Sequence, residues 1–123
     1  MLKPSVARSL LGGMRLLIGV GGMLAPRFGA RLFGLEPERN PGLPYTMRLF
    51  AVRDAALGAG LLGADPRDRG RWVGLGLASD ASDVAAALLA GRSGALNKRA
   101  AALTAVAALS AVALGLAAKG AER

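Results

Sequence analysis

The sequence predicts an all-α fold, a bundle of four transmembrane helices forming a single integral membrane domain over residues 1–123. Three observations lead to this prediction. Hydrophobic residues make up 53% of the chain and charged residues only 20%. The apolar residues fall into four stretches, each long enough to cross a ~30 Å hydrocarbon core as a helix. Turn-forming glycine, proline and charged residues separate these stretches.

The four predicted helices cover approximately residues 5–25, 45–63, 71–90 and 96–118. The last is the clearest, because no charged residue lies between Arg99 and Lys119. Tyr45 and Trp72 fall at helix beginnings, where aromatic rings suit the headgroup region of a bilayer. The connection 26–44 mixes arginine with Phe and Leu, so an interfacial amphipathic helix and an ordinary loop both remain open for it.

Two other interpretations of the apolar segments fit less well. Lys3 and Arg8 ahead of an apolar run resemble a cleaved signal peptide, but Arg15 interrupts that run and no clear cleavage site precedes Pro26. A soluble alanine-rich bundle needs charged outer faces, which the fourth segment lacks. We therefore expect a multi-pass protein of the cell membrane, with the lipid bilayer as its first partner.

Missing residue types exclude much familiar chemistry. The chain has no Cys and no His, so thiol nucleophiles, disulfides, the usual zinc and haem ligands and an imidazole base are all absent. We expect no metal and no cofactor. The net charge of +8 is spread over every loop, which fits attraction to anionic headgroups and predicts no binding of nucleic acid.

Charged residues inside the predicted helices indicate a buried polar centre. There are three positive and three negative ones, so their charges cancel: Arg15, Arg48, Arg53, Asp54, Asp80 and Asp83. An unpaired charge at mid-bilayer costs about 2.5–3.5 kcal/mol on insertion scales. We therefore predict that these arginines and aspartates pair between helices.

Helical spacing supports pairing inside the bundle. Arg15 shares a stripe with Gly12 and Gly19, and Asp80 and Asp83 share one stripe of their helix. Arg53 and Asp54 are adjacent and therefore face about 100° apart, so each should address a different neighbour. Thr104 lies on a small-residue face of the fourth helix as a polar accessory.

The basic residues are almost evenly divided between the two sides of the predicted bundle, so the positive-inside rule fixes no orientation. Such balance is also expected of a dual-topology homodimer, as in small multidrug transporters and fluoride channels. The resemblance ends there, because the small multidrug transporters carry a glutamate in the first helix, where this chain has only Arg15. The fluoride-channel motif is also missing. A homodimer or another membrane protein remains a candidate partner.

A closer resemblance lies in residues 48–62, RLFAVRDAALGAGLL, followed after a basic loop by residues 78–84, ASDASDV. This region is similar to an uncharacterised group of small four-helix membrane proteins of actinobacteria and fungi. Their second helix carries an Arg-Asp-x-x-x-Gly pattern and their third an aspartate. The resemblance covers mainly residues 45–90 and implies a fold and a membrane location, but no activity. The excess of Arg over Lys fits a bacterial source with a GC-rich genome.

Three functions remain open at this point. The polar centre could bind or translocate a proton, an ion or a small amphiphile. It could belong to a membrane-embedded enzyme for a lipophilic substrate, with Asp80 or Asp83 as general acid or base. It could also serve only to fix helix pairing in an accessory or structural subunit. Whether the protein is an enzyme is not decided by the sequence.

Overall fold

The computed structural model describes residues 2–119, and every regular element in that range is helical. It contains five α-helices, preceded at the fourth by a 3-10 turn at Pro66–Asp68: α1 (Pro4–Leu24), α2 (Pro26–Leu32), α3 (Leu43–Gly63), α4 (Arg69–Ser93) and α5 (Lys98–Lys119). The predicted all-α class is confirmed, and the predicted count of four helices is wrong. Met1 and residues 120–123, the ends of the predicted domain, lie outside the described residues.

The additional helix is α2, which lies in the connection that allowed both a helix and a loop. Pro26 stands at its beginning, where the fixed φ of proline suits a first turn. The helix ends before Gly34, whose φ of +77° is the left-handed conformation common after helix ends. Phe28 and Leu32 remain exposed on it, as an interfacial helix requires.

The long helices begin and end near the predicted positions, and local chemistry explains the differences. Pro44 fits the first turn of α3, which therefore starts at Leu43. Helix α4 continues to Ser93 and ends at Gly94, another left-handed glycine. The Asn97 side chain accepts a hydrogen bond from the Ala100 N–H at 2.8 Å and so caps α5.

The four long helices run antiparallel to their neighbours in the order α3, α1, α5, α4. Helices α1 and α3 pack closely, as do α4 and α5, whereas α3 and α4 touch much less. Glycines allow the closest approaches. A Cβ placed on Gly19 of α1 would lie 2.5 Å from the backbone nitrogen of Ala55 in α3, so any larger residue there would push the two helices apart.

Small residues occupy the interior and large apolar ones the outside. Ten of the buried hydrophobic residues are alanines, whereas many leucines and valines of all four long helices are exposed. This distribution is the reverse of a soluble bundle. Among residues 2–119, three helical segments are long and apolar enough to cross a membrane: α1, Pro66–Ser93 and α5.

The predicted second span is not among those three. Helix α3 has the required length, with 21 residues, but it carries Arg48, Arg53 and Asp54. Every stretch of 18 residues within α3 contains all three of these charges, whereas each of the other three segments includes an apolar stretch of that length with at most two charged residues. For α3 to cross a membrane, these three charges must have partners or lie at the ends of the span.

Candidate functional site

Arg15 lies at the centre of the bundle and contacts aspartates of two other helices. Its side chain is 3% exposed. Nη2 donates to Asp80 Oδ2 at 2.5 Å and Nη1 to Asp80 Oδ1 at 3.1 Å, which is a bidentate pair. Nη1 also donates to Asp54 Oδ1 at 3.3 Å. One guanidinium thus joins α1, α3 and α4, and we refer to Arg15, Asp54 and Asp80 as the Arg15 cluster.

Two glycines provide the space that the Arg15 side chain occupies. A Cβ on Gly58 would lie 2.9 Å from the Cβ of Arg15, and one on Gly76 would lie 2.5 Å from its Nη2. The predicted stripe is also present, since Gly12 and Gly19 are buried on the same face of α1 as Arg15. The cluster therefore depends on the glycine positions of three helices.

The Arg15 cluster carries unequal charges. One guanidinium faces two carboxylates, so with all three groups ionised the formal charge is −1. Asp80 takes both of the shorter hydrogen bonds, while Asp54 receives only the longer one among the described contacts. Isolated negative charge is costly in an apolar interior, and of the two carboxylates in this cluster Asp54 is the less well compensated.

A second ion pair joins α3 to α4. Arg53 donates from Nη1 to Asp83 Oδ1 at 3.0 Å and from Nη2 to Asp83 Oδ2 at 2.5 Å. The Arg53 and Asp83 side chains are 38% and 29% exposed. The prediction that arginine and aspartate pair between helices is confirmed for Arg15 and Arg53 and is wrong for Arg48. The prediction that Arg53 and Asp54 address different neighbours is confirmed.

Aromatic rings support this Arg53–Asp83 pair. The Arg53 guanidinium carbon lies 4.9 Å from the centre of the Phe50 ring, within range of a cation–π contact. The Phe50 ring in turn meets Phe33 edge to face, with 6.3 Å between ring centres. Sequence reasoning did not assign Phe50 to the site, although its spacing of three residues from Arg53 on a helix indicates the contact.

Both ion-pair groups border a cavity of about 670 Å³ that is partly open to the surroundings of the bundle. Its polar surface comes from the Arg15 cluster and Asp83. Its walls are largely apolar and include Met14, Ile18, Phe33, Met47, Phe50 and Leu96. Leu11, Leu61 and Val73 belong to a core of buried hydrophobic residues nearer the chain termini, so the bundle is closely packed at that end and the cavity lies toward the other end.

Arg48 lies outside this centre, and Arg53 and Asp83 are only partly buried. The prediction that all six residues are buried is therefore correct only for the Arg15 cluster. The Arg48 side chain is exposed, and its Nε donates to the Met23 carbonyl at 3.1 Å. The last carbonyls of a helix lack partners within the helix, and Arg48 satisfies one of them at the end of α1. Its position one turn into α3 places it near the end of the bundle.

Thr104 lines the cavity but offers it little hydrogen bonding. Its hydroxyl donates to the Ala100 carbonyl at 2.8 Å. Within residues 2–119, no group of three or more His, Cys, Asp or Glu residues is placed to hold a metal ion. Comparison of the chain with protein-family models, curated proteins and solved structures gave no match.

Proposed function

We propose that the chain is a multi-pass protein of the cell membrane with α1, α3, α4 and α5 as its spans, and that its cavity binds a small amphiphile. The cavity carries this proposal, because its walls are mostly apolar and a few charged side chains, those of the Arg15 cluster and Asp83, border it. Binding sites for small ligands commonly have volumes of about 300–1,000 Å³, apolar linings and a few polar groups. The volume here, about 670 Å³, lies in that range.

Pairing of its charges supports α3 as the fourth span. Arg53 and Asp54, the two charges nearest its middle, both bind partners on other helices. Arg48 lies near the end of the helix, where a long side chain reaches the headgroup region. With these charges compensated, a helix of 21 residues is long enough for a hydrocarbon core of ~30 Å.

Labelling of single cysteines tests the four spans. The chain has no natural cysteine, so Asn40→Cys, Asp68→Cys and Ser93→Cys each introduce one thiol. The first two sites flank α3, and the last two flank α4. Four spans predict that, on intact cells, an impermeant thiol reagent reaches either the Asp68 site alone or the other two sites alone, and that permeabilisation exposes the rest. If the Asn40 and Asp68 sites react only from the same side, α3 does not cross the membrane and the proposal of four spans is wrong.

The same labelling tests whether the chain forms a dual-topology homodimer. A dual-topology homodimer predicts that each cysteine reacts from both sides in comparable amounts. Labelling from one side favours a uniquely oriented protein, alone or with another membrane protein.

We also propose, on the residue pattern of 45–90, that the chain belongs with the small four-helix membrane proteins of actinobacteria and fungi. The excess of Arg over Lys supports a bacterial source.

Ligand binding is tested with the purified chain in lipid nanodiscs. A panel of radiolabelled amphiphiles is measured by equilibrium dialysis, with empty nanodiscs subtracted. Ala108→Phe places a large ring at a buried position of the cavity wall and should remove binding. Val106→Phe is the matched control, since Val106 is exposed on the same helix. If no amphiphile distinguishes Ala108→Phe from the unmodified chain, the binding function is wrong.

A membrane-embedded enzyme is the second candidate, because the cavity reaches three carboxylates, those of Asp54, Asp80 and Asp83. A carboxylate next to a bound lipophilic substrate could act as general acid or base. The bidentate contacts that hold Asp80 and Asp83 to arginines favour binding over proton transfer. Product formation from a bound amphiphile, lost in Asp83→Asn with binding retained, would favour the enzyme.

A further inference from the structure

We infer that the cavity selects amphiphiles carrying one positive charge, an inference that rests on the proposed binding function and names its ligand class. With all five groups ionised, the three carboxylates of Asp54, Asp80 and Asp83 oppose the two guanidinium groups of Arg15 and Arg53, and the site carries a formal charge of −1. A bound monocation makes the total formal charge of site and ligand zero. A neutral ligand leaves this charge at −1, and a monoanion makes it −2.

The surplus negative charge lies at Asp54. Asp80 and Asp83 each have a bidentate arginine partner. Asp54 has the single long contact to Arg15, and it borders the cavity. The cationic group of a ligand is therefore expected at the Asp54 carboxylate, where an opposite charge in an apolar environment is most favourable.

The lining of the cavity suits an organic cation better than a metal ion. A metal ion needs several oxygen ligands to replace its hydration shell, and no such group of acidic residues exists among residues 2–119. The Thr104 hydroxyl is already donated to a backbone carbonyl. The walls are apolar, with Ile18, Phe33 and Met47 among them. An organic cation whose charged atom is surrounded by hydrocarbon matches both the apolar walls of the cavity and the surplus negative charge at Asp54.

Two probes of matched shape and opposite charge test the selectivity. Tetraphenylphosphonium is a lipophilic monocation, and tetraphenylborate is an anion of the same geometry. Both are measured by dialysis against the full chain in nanodiscs of zwitterionic lipid, with empty discs subtracted. We expect saturable binding of the phosphonium, its loss in Ala108→Phe and its retention in Val106→Phe. Tetraphenylborate should show no binding above that of the Ala108→Phe chain.

Charge variants then locate the selectivity. Asp54→Asn should weaken phosphonium binding by about ten- to a hundredfold, the range for loss of one charged contact, while Asp54→Glu restores it. Asp65→Asn is the control, because it removes one exposed carboxylate far from the cavity. Asp83→Asn removes a carboxylate at a half-exposed position and should also lower the phosphonium affinity. It provides the test if Asp54→Asn does not fold. Arg53→Gln changes the charge in the opposite direction and should raise the affinity.

The outcomes separate this inference from the function on which it rests. Binding of tetraphenylborate as tightly as the phosphonium, or equal phosphonium affinities in Asp54→Asn, Asp83→Asn and Asp65→Asn, would overturn charge selection and leave amphiphile binding intact. If neither probe, nor any amphiphile of the panel, binds the unmodified chain better than the Ala108→Phe chain, both proposals fail. Affinity that falls in Asp83→Asn and rises in Arg53→Gln supports the inference independently of Asp54.

Discussion

The Arg15 cluster and the Arg53–Asp83 pair use the same chemistry in different surroundings. Each contains a bidentate contact from an arginine to an aspartate of α4, with shortest distances of 2.5 Å in both. Arg15 is 3% exposed and shares its guanidinium between two carboxylates, whereas Arg53 is 38% exposed and has one carboxylate partner. The two groups lie about one helical turn apart along α4.

Burial decides what each group contributes. Removing one partner of a buried ion pair leaves the other charge stranded in a low dielectric, which is strongly destabilising. A half-exposed pair is screened, and its separated partners can find other contacts. We therefore expect the Arg15 cluster to determine whether the bundle forms, and the Arg53–Asp83 pair to adjust the charge beside the cavity.

The largest effect is expected for Arg15→Met, which leaves Asp54 and Asp80 without their cation. Loss of one partner from a buried ion pair typically costs about 3–5 kcal/mol. The free energy of unfolding, measured by reversible denaturation in mixed micelles, should fall by that order. A triple variant that also carries Asp54→Asn and Asp80→Asn should recover much of the loss. Equal stability of Arg15→Met and the unmodified chain would mean that the cluster is not structural.

A single methyl group tests the same cluster without changing any charge. In Gly76→Ala the new Cβ would lie 2.5 Å from Arg15 Nη2, so the guanidinium must move away from Asp80, at about 1–3 kcal/mol for overpacking. Gly74→Ala, two residues earlier on α4, meets no atom within 4 Å. Alanine there should stabilise the helix by up to about 1 kcal/mol. The free energies of unfolding of the two variants are measured under identical conditions and compared with that of the unmodified chain. A change of the same sign in both variants would contradict the prediction.

A smaller effect is expected at the half-exposed pair. Polar contacts between membrane helices average about 0.6 kcal/mol and reach about 1.7 kcal/mol, so Arg53→Met should cost no more than this. A double-mutant cycle with Asp83→Asn isolates the coupling between the two side chains. A coupling as large as the loss in Arg15→Met would remove the distinction between the two groups.

Much of this polar centre could be predicted from the sequence. Equal numbers of opposite charges in apolar segments indicated pairing, and helical periodicity placed Arg15 on a glycine face and separated Arg53 from Asp54. Arg48 was misplaced because periodicity gives the direction of a side chain around a helix axis. It does not give the depth of that side chain along the bundle, which depends on where neighbouring helices end.

The cavity could not be predicted from the sequence. A cavity is a difference between the volume that backbones enclose and the volume that side chains fill, and no local pattern reports it. The additional helix α2 was uncertain for a related reason. Its seven residues are too few for a clear period, so its formation depends on the Pro26 and Gly34 conformations and on packing against α1 and α3.

The smallest effect is expected at a third pair, which lies on the surface between α2 and α3. The hydrogen bond from the Arg31 guanidinium lowers the pKa of Glu38 below its ordinary value of 4.5. The resulting stabilisation is present above the unfolded-state pKa and is lost as the pH falls through the lower folded-state value. Both side chains are more than half exposed, so the change in overall stability should be difficult to measure. Carboxyl NMR of Glu38 is the more direct observation, and Arg31→Gln should return its titration midpoint toward 4.5. An unchanged midpoint would show that the Arg31–Glu38 contact does not persist in solution, and the relation between burial and strength would then rest on the two interior groups alone.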